Sequence, residues 1–241
     1  MSYFYHEAAE SENSLITLSD KESHHLIHVL RKKNGDRLLI LNGRGKCFEG
    51  ELTGENAKGA NVFIHQCIKE AEKPSVRFHL SVGPTKHADR MEWLTEKATE
   101  LGVWSIRPVF MQHSERKTLR TDKLQQVAIA AIKQSGNLFL PHIYEPVRFE
   151  EWLSQTKEFP FRFVGLQHAA TWPATDTGWR KGDIHVLVGP EGGFSPSEES
   201  RMREEKVIPI GVSPNRLRVE TAALTLLAQF QYLDSTPEIQ H

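Results

Sequence analysis

The sequence predicts a two-part α/β protein, in which a small antiparallel β unit precedes a larger domain built on a parallel sheet. Two observations lead to this prediction. The character of the chain changes near residue 75, where three short strand-like runs give way to strands that alternate with helices. Two of the later strands also end in unusual loops directly before a helix, which is where open α/β sheets bind ligands. We therefore divide the chain into residues 1–72 and residues 73–241.

Length and composition are those of an ordinary globular protein. The chain has 241 residues, of which 39% are hydrophobic and 25% charged. No run approaches the roughly 18 apolar residues of a membrane span, and the first residues do not read as a secretory signal, so we expect a cytoplasmic protein. The net charge of −1 excludes a generally basic nucleic-acid binder but not a local basic surface. Cys47 and Cys67 lie in separate runs, so we expect two free thiols.

The amino-terminal part is predicted to contain one short helix and three strands. The helix is expected to begin with Asp20 as its N-cap and to run through KESHHLIHVLRKK. Three strand-length runs follow between residues 36 and 70, separated by Asn42-Gly43 and by the polar stretch from Gly54 to Gly59. Such a pattern is typical of a small antiparallel sheet or barrel. The polar segment around Pro74 is predicted to be the linker.

Strands and helices alternate beyond the linker. Strands are predicted at residues 76–83, 104–110, 161–167, 183–189 and 207–212. Helices are predicted at residues 88–102, 121–136, from Pro196 onward, and at 222–233. The apolar residues of the first helix are expected to share one face: Met91, Leu94, Ala98 and Leu101. Gly102 is expected to be its C′ residue. The last helix is apolar almost all round, so it is predicted to be buried in a core or against a partner chain.

The first unusual loop lies within HVLVGPEGGFSPSEES. Phosphate, the usual ligand of a glycine-rich loop, fits poorly here, because Pro190 lacks an N–H donor, Glu191 repels anions and neither common phosphate-binding fingerprint matches. The loop therefore suits a neutral or positive ligand, although a simple tight turn also explains Gly192 and Gly193. The following helix carries start signals at the N-cap, N1 and N3 positions, which are Ser195, Pro196 and Glu198.

The second unusual loop lies within IGVSPNRLRVETAALTLLAQF. After Gly211, the segment Leu217, Arg218, Val219, Glu220 and Thr221 brings an arginine and a carboxylate to the start of the last helix. Taken alone, Glu220 and Thr221 are explained as capping residues, with Arg218 as their ion-pair partner. Both loops, however, end strands at the same edge of the predicted sheet, and together they indicate a ligand site.

Three segments, RMEWLTEKATELGV, LVGPEGGFSPSE and RLRVETAAL, in this order and spacing resemble a bacterial methyltransferase family that modifies a uridine of small-subunit (16S) ribosomal RNA at ring nitrogen N3. The segment HLIHVLRKKNGDRLLILNGRG is similar to the PUA-like amino-terminal barrel of that family, which belongs to the SPOUT superfamily. The resemblance spans nearly the whole chain. It implies a carboxy-terminal domain with a deep trefoil knot, S-adenosylmethionine bound among the knot loops, and a homodimer. Periodicity alone could not have indicated a knot.

The resemblance also implies which residues bind the cofactor. They are Leu166, Gln167, His168, Gly189, Pro190, Glu191, Gly192, Gly193, Ile210, Gly211, Leu217, Arg218 and Thr221. The sulfonium of S-adenosylmethionine is a cation, so a nearby acid such as Glu191 is tolerable, and bare glycines let adenine lie against backbone amides.

Methylation at N3 sets two chemical requirements. N3 of uridine carries a proton, so the site needs an acceptor for that proton and a cation for the charge that develops on O2 and O4. Arg218 suits the second role because its fork of donors matches a delocalised anion, and Glu220 is the candidate base. In the alternative, alignment of the methyl group with N3 supplies most of the acceleration and no base is needed.

A basic stretch near the amino terminus indicates RNA contact. Between Lys21 and Lys46 there are seven Lys or Arg residues and two acids, although a solvated basic face explains this equally well. A second basic run follows residue 106. The candidate RNA-binding residues are His24, His28, Arg31, Lys32, Arg44 and Arg116. His24 and His28 stand one helical turn apart, but without a supporting cysteine or carboxylate we expect no metal site.

Three other functions compete with uridine N3 methylation. A ribose 2′-O methyltransferase or another SPOUT relative would share the cofactor loops and differ in the residues that face the RNA. A noncatalytic RNA-binding protein would keep the basic surface without needing Gly189 to Gly193. A nucleotide-dependent oxidoreductase is disfavoured because both phosphate-binding fingerprints are absent.

Overall fold

The computed structural model describes residues 2–56, 59–169 and 182–235. The chain divides into two compact units, one formed by Met1–Lys73 with Ile129–Leu140 and the other by Pro74–Ala128 with Pro141–His241. The domain boundary at residues 72 and 73 stays a prediction, since a segment of a later helix is assigned to the first unit. No helix within the described ranges is long and apolar enough to cross a membrane.

The first unit contains a five-stranded sheet. Its strands are β1 (Tyr3–Tyr5), β2 (Ser14–Thr17), β3 (Arg37–Leu41), β4 (Lys46–Asn56) and β5 (Gly59–Glu70), in the order β1-β3-β4-β5-β2. The β1–β3 pair is parallel and the other pairs are antiparallel. The three predicted strands are confirmed as β3 to β5. The second predicted turn includes residues 57 and 58, which lie outside the described ranges. Cys47 and Cys67 are free thiols, as predicted.

The helix of the first unit is shorter than predicted. Helix α1 spans Asp20–His24, and a π-helical turn follows at His25–Val29. Ser19, and not Asp20, is the N-cap, because its side chain accepts the N–H of Glu22. Arg31 has a left-handed φ of 53°, a conformation that a helix cannot continue. The basic residues at its predicted end therefore lie in a loop.

The second unit is built on a seven-stranded parallel sheet. Its strands are β6 (Val76–Val82), β7 (Ser105–Phe110), β8 (His142–Ile143), β9 (Val147–Arg148), β10 (Phe161–Gly165), β11 (Gly182–Val188) and β12 (Ile208–Ile210). The order is β12-β10-β11-β6-β7-β8, and β9 pairs with β7. The carboxyl ends of β12, β10 and β11 therefore lie side by side. All five predicted strands are confirmed, whereas the two-residue strands β8 and β9 were not predicted.

Five helices accompany this sheet in the described part of the chain. They are α2 (Ala88–Glu100), α3 (Thr121–Ser135), α4 (Phe149–Thr156), α5 (Pro196–Glu204) and α6 (Val219–Ser235). Met91, Leu94 and Ala98 of α2 are fully buried as predicted, and Gly102 has a φ of +78°, as a C′ glycine should. The placement of Leu101 on that face is wrong, because the helix ends at Glu100 and Leu101 is 37% exposed.

Helix α6 is buried along much of its length. Ala223, Leu226, Leu227 and Phe230 lie in the same core as the sheet, and the ring of Phe230 is 5.1 Å from that of Phe163. The predicted burial of the last helix is confirmed for these residues. The helix begins three residues earlier than predicted, which brings it to the edge of the loop after β12.

Candidate functional site

A cavity of about 470 Å³ lies at the carboxyl ends of the parallel strands β10 and β11. Three loops line it: residues 166–168 after β10, Gly189–Phe194 after β11, and residues 212–218 after β12. We name the second the glycine loop and the third the arginine loop. Volume and position are those of a small-molecule site in an open α/β sheet.

Most of the predicted cofactor residues line this cavity: Leu166, Gln167, His168, Gly189, Pro190, Glu191, Gly192, Gly193, Leu217 and Arg218. Ile210, Gly211 and Thr221 do not line it. The carbonyl of Ile210 accepts the N–H of Leu166 at 2.9 Å, so it ties two of the loops together instead. Sequence reasoning missed several residues that also line the cavity: Gly165, Val188, Phe194, Glu199, Val219 and Ala222. Ligand contact by any of these residues stays a prediction.

The glycines of the glycine loop are required first by packing within the protein. A Cβ atom on Gly189 would lie 2.8 Å from the ring of Phe194, and one on Gly192 would lie 2.8 Å from Cβ of His113. Both distances are too short for a side chain. A Cβ on Gly193 would meet nothing within 4 Å, but this residue has a left-handed φ of +71°. Open space for a ligand therefore exists beside Gly193, whereas Gly189 and Gly192 have a different physical reason from the predicted one.

The carboxylate of Glu191 is paired within the protein. Nη1 of Arg90 lies 2.9 Å from Oε1, and the backbone N–H of Lys86 donates to Oε2 at 3.2 Å. The backbone carbonyl of Glu191 accepts from Nη2 of Arg216, also at 3.2 Å. The negative charge expected to repel anions is thus largely compensated. Arg90, which lies on α2, gave no sequence signal for this role.

The helix that follows the glycine loop starts as predicted. Oγ of Ser195 accepts the backbone N–H of Glu198, while Oε2 of Glu198 accepts the backbone N–H of Ser195 at 2.8 Å, which completes a capping box. Oε1 of Glu198 also accepts the N–H of Gln112 at 2.8 Å. Because all these groups are satisfied, the far end of the glycine loop is held in place.

Two ionic groups, Arg218 of the arginine loop and Glu220 in the first turn of α6, have few contacts within the protein. Nε of Arg90 approaches Oε1 of Glu220 to 3.9 Å, but Oε2 is buried and has no hydrogen-bond partner in the part of the chain that the structure describes. The Glu220 side chain is only 9% exposed. Arg218 is exposed and forms no ion pair with any described residue. Such groups are costly unless a ligand or water satisfies them.

The predicted capping role of this segment is wrong. Helix α6 begins at Val219, so Glu220 and Thr221 lie in its first turn and not at the N-cap. The ion-pair partner of Glu220 is Arg90, which reaches it from α2. The predicted Arg218–Glu220 ion pair is therefore not formed.

A second, open hollow of about 640 Å³ adjoins the arginine loop. It is lined by Asp89, Arg90, Trp93, Arg218, Glu220 and Thr221. Arg218 lines both this hollow and the cavity, so it stands at their border. The sequence analysis did not anticipate the hollow, because α2 and the arginine loop are far apart along the chain.

The predicted RNA-binding residues lie at the surface, and RNA contact stays a prediction. His24, His28, Arg31 and Arg44 are exposed, while Lys32 and Arg116 are partly exposed. Arg44 pairs with Glu10 at 2.5 Å, and Lys32 lies 3.9 Å from Asp36. The rings of His24 and His28 are 4.9 Å apart. Within the described ranges, no group of three or more His, Cys, Asp or Glu residues could hold a metal ion.

Comparison with protein families decides the class of this protein. Residues 71–231 match the model of an RNA methyltransferase domain, which is more than half of the chain, and residues 18–64 match an RNA methyltransferase PUA domain. The chain belongs to this RNA methyltransferase family. The Ribosomal RNA small subunit methyltransferase E of Bacillus subtilis is 24% identical over 92% of this chain and 91% of the relative. The protein of the same name from Buchnera aphidicola subsp. Schizaphis graminum is 28% identical over 91% of both chains.

Solved structures share the fold of this RNA methyltransferase. A putative methyltransferase from Legionella pneumophila, in complex with S-adenosylmethionine, has a TM-score of 0.87 and 26% identity, and the match covers 96% of this chain and 97% of that one. A Ribosomal RNA small subunit methyltransferase E from Neisseria gonorrhoeae, bound to S-adenosylmethionine, has a TM-score of 0.84 and 27% identity, with 98% and 100% covered. The predicted family and the α/β fold class, a SPOUT-type parallel domain with a small amino-terminal sheet, are confirmed. The threading of a trefoil knot stays a prediction.

Proposed function

We propose that this RNA methyltransferase transfers the methyl group of S-adenosylmethionine to ring nitrogen N3 of a uridine in 16S RNA of the small ribosomal subunit. Relatives that match over about nine-tenths of their length are small-subunit ribosomal RNA methyltransferases by name, and two solved neighbours hold S-adenosylmethionine. The single observation that supports the N3 position is that the guanidinium of Arg218 and Oε2 of Glu220, beside the cavity, have no partner among the described residues.

The cavity fits S-adenosylmethionine by the chemistry of its wall. Leu166, Val212 and Leu217 offer apolar surface for the adenine ring, and the backbone beside Gly193 is open. Glu199 offers a carboxylate to the ribose hydroxyls or the ammonium group. When bound, the cofactor supplies an electrophilic methyl group on a sulfonium sulfur, which becomes a neutral thioether after transfer.

Glu220 is the proposed acceptor of the N3 proton. Its Oε2 atom has no protein hydrogen-bond partner in the described part of the chain, and Arg90 contacts the other oxygen from α2. Glu220 lines the hollow, and its buried Oε2 has to turn toward the hollow to accept a proton from a base placed there. The N–H of uridine N3 is a donor of matching type, so the proton moves to Glu220 as the nitrogen lone pair becomes available.

Arg218 is proposed to stabilise the uracil anion. As the N3 proton leaves, negative charge spreads over O2 and O4, and two N–H donors of one guanidinium can approach such a delocalised anion. No described residue forms an ion pair with Arg218, so the side chain needs to break no protein contact to reach the base. Its place at the border of the cavity and the hollow puts this charge beside the methyl donor.

The proposal includes a division of labour along the chain. Residues 1–72 act as a PUA-like RNA-binding domain through the exposed basic residues between Lys21 and Lys46, and residues 73–241 carry the chemistry. The protein acts in the cytoplasm as a homodimer. Its substrate is 16S RNA within the small ribosomal subunit. No metal ion enters the proposed reaction.

Nucleoside analysis tests the proposed function. Small ribosomal subunits from cells that lack this protein are incubated with the purified enzyme and S-adenosylmethionine, and the 16S RNA is digested and analysed by mass spectrometry. We expect N3-methyluridine to appear only when enzyme and cofactor are both present. A ribose 2′-O-methylated nucleoside as the product, or cofactor binding without any methylation, would contradict the proposal.

A further inference from the structure

We propose that the hollow formed by α2 and the arginine loop is the subsite for the unstacked uracil ring, with Trp93 as its stacking surface and Glu220 as the group that selects uracil over cytosine. This inference rests on the proposed function at N3. An enzyme that modifies a base edge must bind the base outside a helical stack, so a separate pocket for the ring is required next to the methyl donor. The hollow borders the cofactor cavity at Arg218.

Trp93 supplies the flat surface that such a subsite needs. It lies on α2, its side chain is 46% exposed, and it is the aromatic residue among those that line the hollow. An indole offers a large flat apolar face, and tryptophan is enriched at binding interfaces. Bases stack well on such a ring, and loss of one stacking partner usually weakens binding about tenfold to hundredfold.

The charges around the hollow favour a neutral, polar ligand. Asp89 and Glu220 carry two negative charges, and Arg90 and Arg218 carry two positive charges, so the formal charges cancel. A phosphate group would meet both carboxylates, whereas a nucleobase is neutral and has polar edges that can pair with either kind of group. The hollow thus suits the base, and the phosphates of the RNA must lie outside it.

Glu220 matches the edge of uracil and mismatches that of cytosine. Uracil presents an N–H donor at N3 between two carbonyl acceptors, whereas cytosine has a lone pair at N3. The Oε2 atom of Glu220 is buried and lacks a partner among the described residues; once turned toward the hollow, it accepts a hydrogen bond from the first and repels the second. Sites built around a required hydrogen bond reject analogues that lack it strongly, because the buried protein group is left unpaired.

Arg90 is the positioning residue for this selection. Its Nε atom lies 3.9 Å from Oε1 of Glu220, while its Nη1 atom lies 2.9 Å from Glu191 of the glycine loop. One guanidinium therefore orients the carboxylate that faces the base and also contacts the loop that lines the cofactor cavity. This arrangement leaves Oε2 of Glu220 as the free acceptor.

Photo-cross-linking locates the base without requiring methyl transfer. 16S RNA transcribed with 4-thiouridine is bound to the full chain without cofactor, irradiated and digested, and the cross-linked peptides are identified by mass spectrometry. We expect a cross-link at Trp93 that uridine 5′-monophosphate suppresses better than cytidine 5′-monophosphate. In the Glu220→Gln variant this preference should be lost, because an amide also offers a donor to cytosine N3. Absence of a cross-link in α2, or equal competition by the two nucleotides in the unmodified protein, overturns the inference.

Substitution of Trp93 tests stacking against a role in self-association. Trp93→Ala should slow single-turnover methylation at saturating cofactor at least tenfold with unchanged cofactor affinity and unchanged mass in solution, while Trp93→Phe should retain most of the rate. Leu101→Ala, which alters an exposed apolar residue just beyond the same helix, is the matched control and should behave as the unmodified protein. Wild-type rates for Trp93→Ala overturn the inference, and so does a halved mass in solution, which would make this surface a contact between copies.

The two proposals fail separately. A product other than N3-methyluridine, with the Trp93 cross-link intact, supports the base subsite and contradicts only the proposed position of methylation. N3-methyluridine produced by a protein that does not cross-link at Trp93 overturns the subsite and leaves the proposed function standing.

Discussion

The glycine loop and the arginine loop both follow strands of one parallel sheet and both lead into a helix, yet the protein treats their polar groups differently. In the glycine loop, the Glu191 carboxylate is paired with Arg90, and the glycine at 192 makes room for His113. Within the part of the chain that the structure describes, Arg218 of the arginine loop has no ion-pair partner, and Glu220, in the helix turn that follows, has one unsatisfied oxygen. The first loop is held by protein contacts, and the second keeps its charged groups available.

This difference has an energetic meaning. A buried polar atom without a partner costs about 1–3 kcal/mol, so a folded protein retains one where a ligand satisfies it. The glycine loop contributes to stability and to the shape of the cavity. The charged groups at the arginine loop contribute less to stability and remain available to a ligand. Substitutions in the two loops should therefore affect different measurements.

The largest effect is expected for Arg218→Ala. Single-turnover methylation should slow by about two to three orders of magnitude, the loss typical of one oxyanion-type donor. Melting temperature and cofactor affinity should change little, because no described residue pairs with the side chain. Lysine should restore little activity, since a point charge cannot reproduce the planar fork, and higher pH should recover part of the rate as more uridine ionises. Replacement of the exposed Arg203 on α5 by Ala is the control. A wild-type rate for Arg218→Ala would contradict the proposed role of Arg218 in the reaction.

Acid should act on the scaffold that carries the glycine loop. Burial, and then the neighbouring His79, lower the pKa of His185 on β11 to about 3. In the unfolded chain this pKa is about 6.5, so between these values the unfolded state binds more protons and stability falls as the pH falls. The slope approaches about 1.4 kcal/mol per pH unit well below pH 6.5, or about 2 kcal/mol lost by pH 5. Urea unfolding at pH 7 and pH 5 measures this, and His185→Leu should reduce the dependence.

Gly192→Val should damage the glycine loop itself. The new Cβ would lie 2.8 Å from Cβ of His113, so the loop must move, at a cost of about 1–3 kcal/mol in unfolding free energy. Because the displaced loop also lines the cavity, cofactor affinity measured by calorimetry should fall about tenfold or more. The double variant with His113→Gly should recover part of both losses. Unchanged affinity would show that the loop does not shape the cofactor site.

Charge reversal at Arg31 and Lys32 tests the first unit separately from both loops. RNA binding should weaken, and the slope of log affinity against log salt should fall by about two units, one for each lost phosphate contact. Cofactor affinity should stay the same, because these residues do not line the cavity. Reversal of both Lys157 and Arg203, which are exposed residues of the second unit, provides a comparison of equal charge. Normal methylation by the Arg31/Lys32 variant at physiological salt would exclude this face as the RNA platform.

The smallest effect is expected for Glu191→Gln. Its pair with Arg90 is partly solvent-exposed, with side-chain exposures of 28% and 30%, so loss of the pair should cost about 1 kcal/mol or less in urea unfolding. A double-mutant cycle with Arg90→Gln isolates the pair energy. A far larger coupling would mean that this pair, and not glycine packing, holds the loop.

Local patterns in the sequence determined much of this architecture. The five main strands of the parallel sheet, the capping box of Ser195 and Glu198 and the glycine at 102 were all predicted, because each depends on residues a few positions apart. The motifs around both loops also identified the family. Two-residue strands and the eight-residue helix α4 were missed, because such short segments carry no clear period.

Only the tertiary structure decided which groups meet. Arg90 reaches Glu191 from 101 residues away, and it contacts Glu220 in place of the expected Arg218. The reason for glycine at 192 is likewise His113, 79 residues earlier in the chain. The order of strands and the packing of helices set these encounters, by placing the ends of β12, β10 and β11 beside one another and α2 against α6. A side-chain pair joined only by folding leaves no periodic signal, so the partner of each charge could not be derived from the sequence.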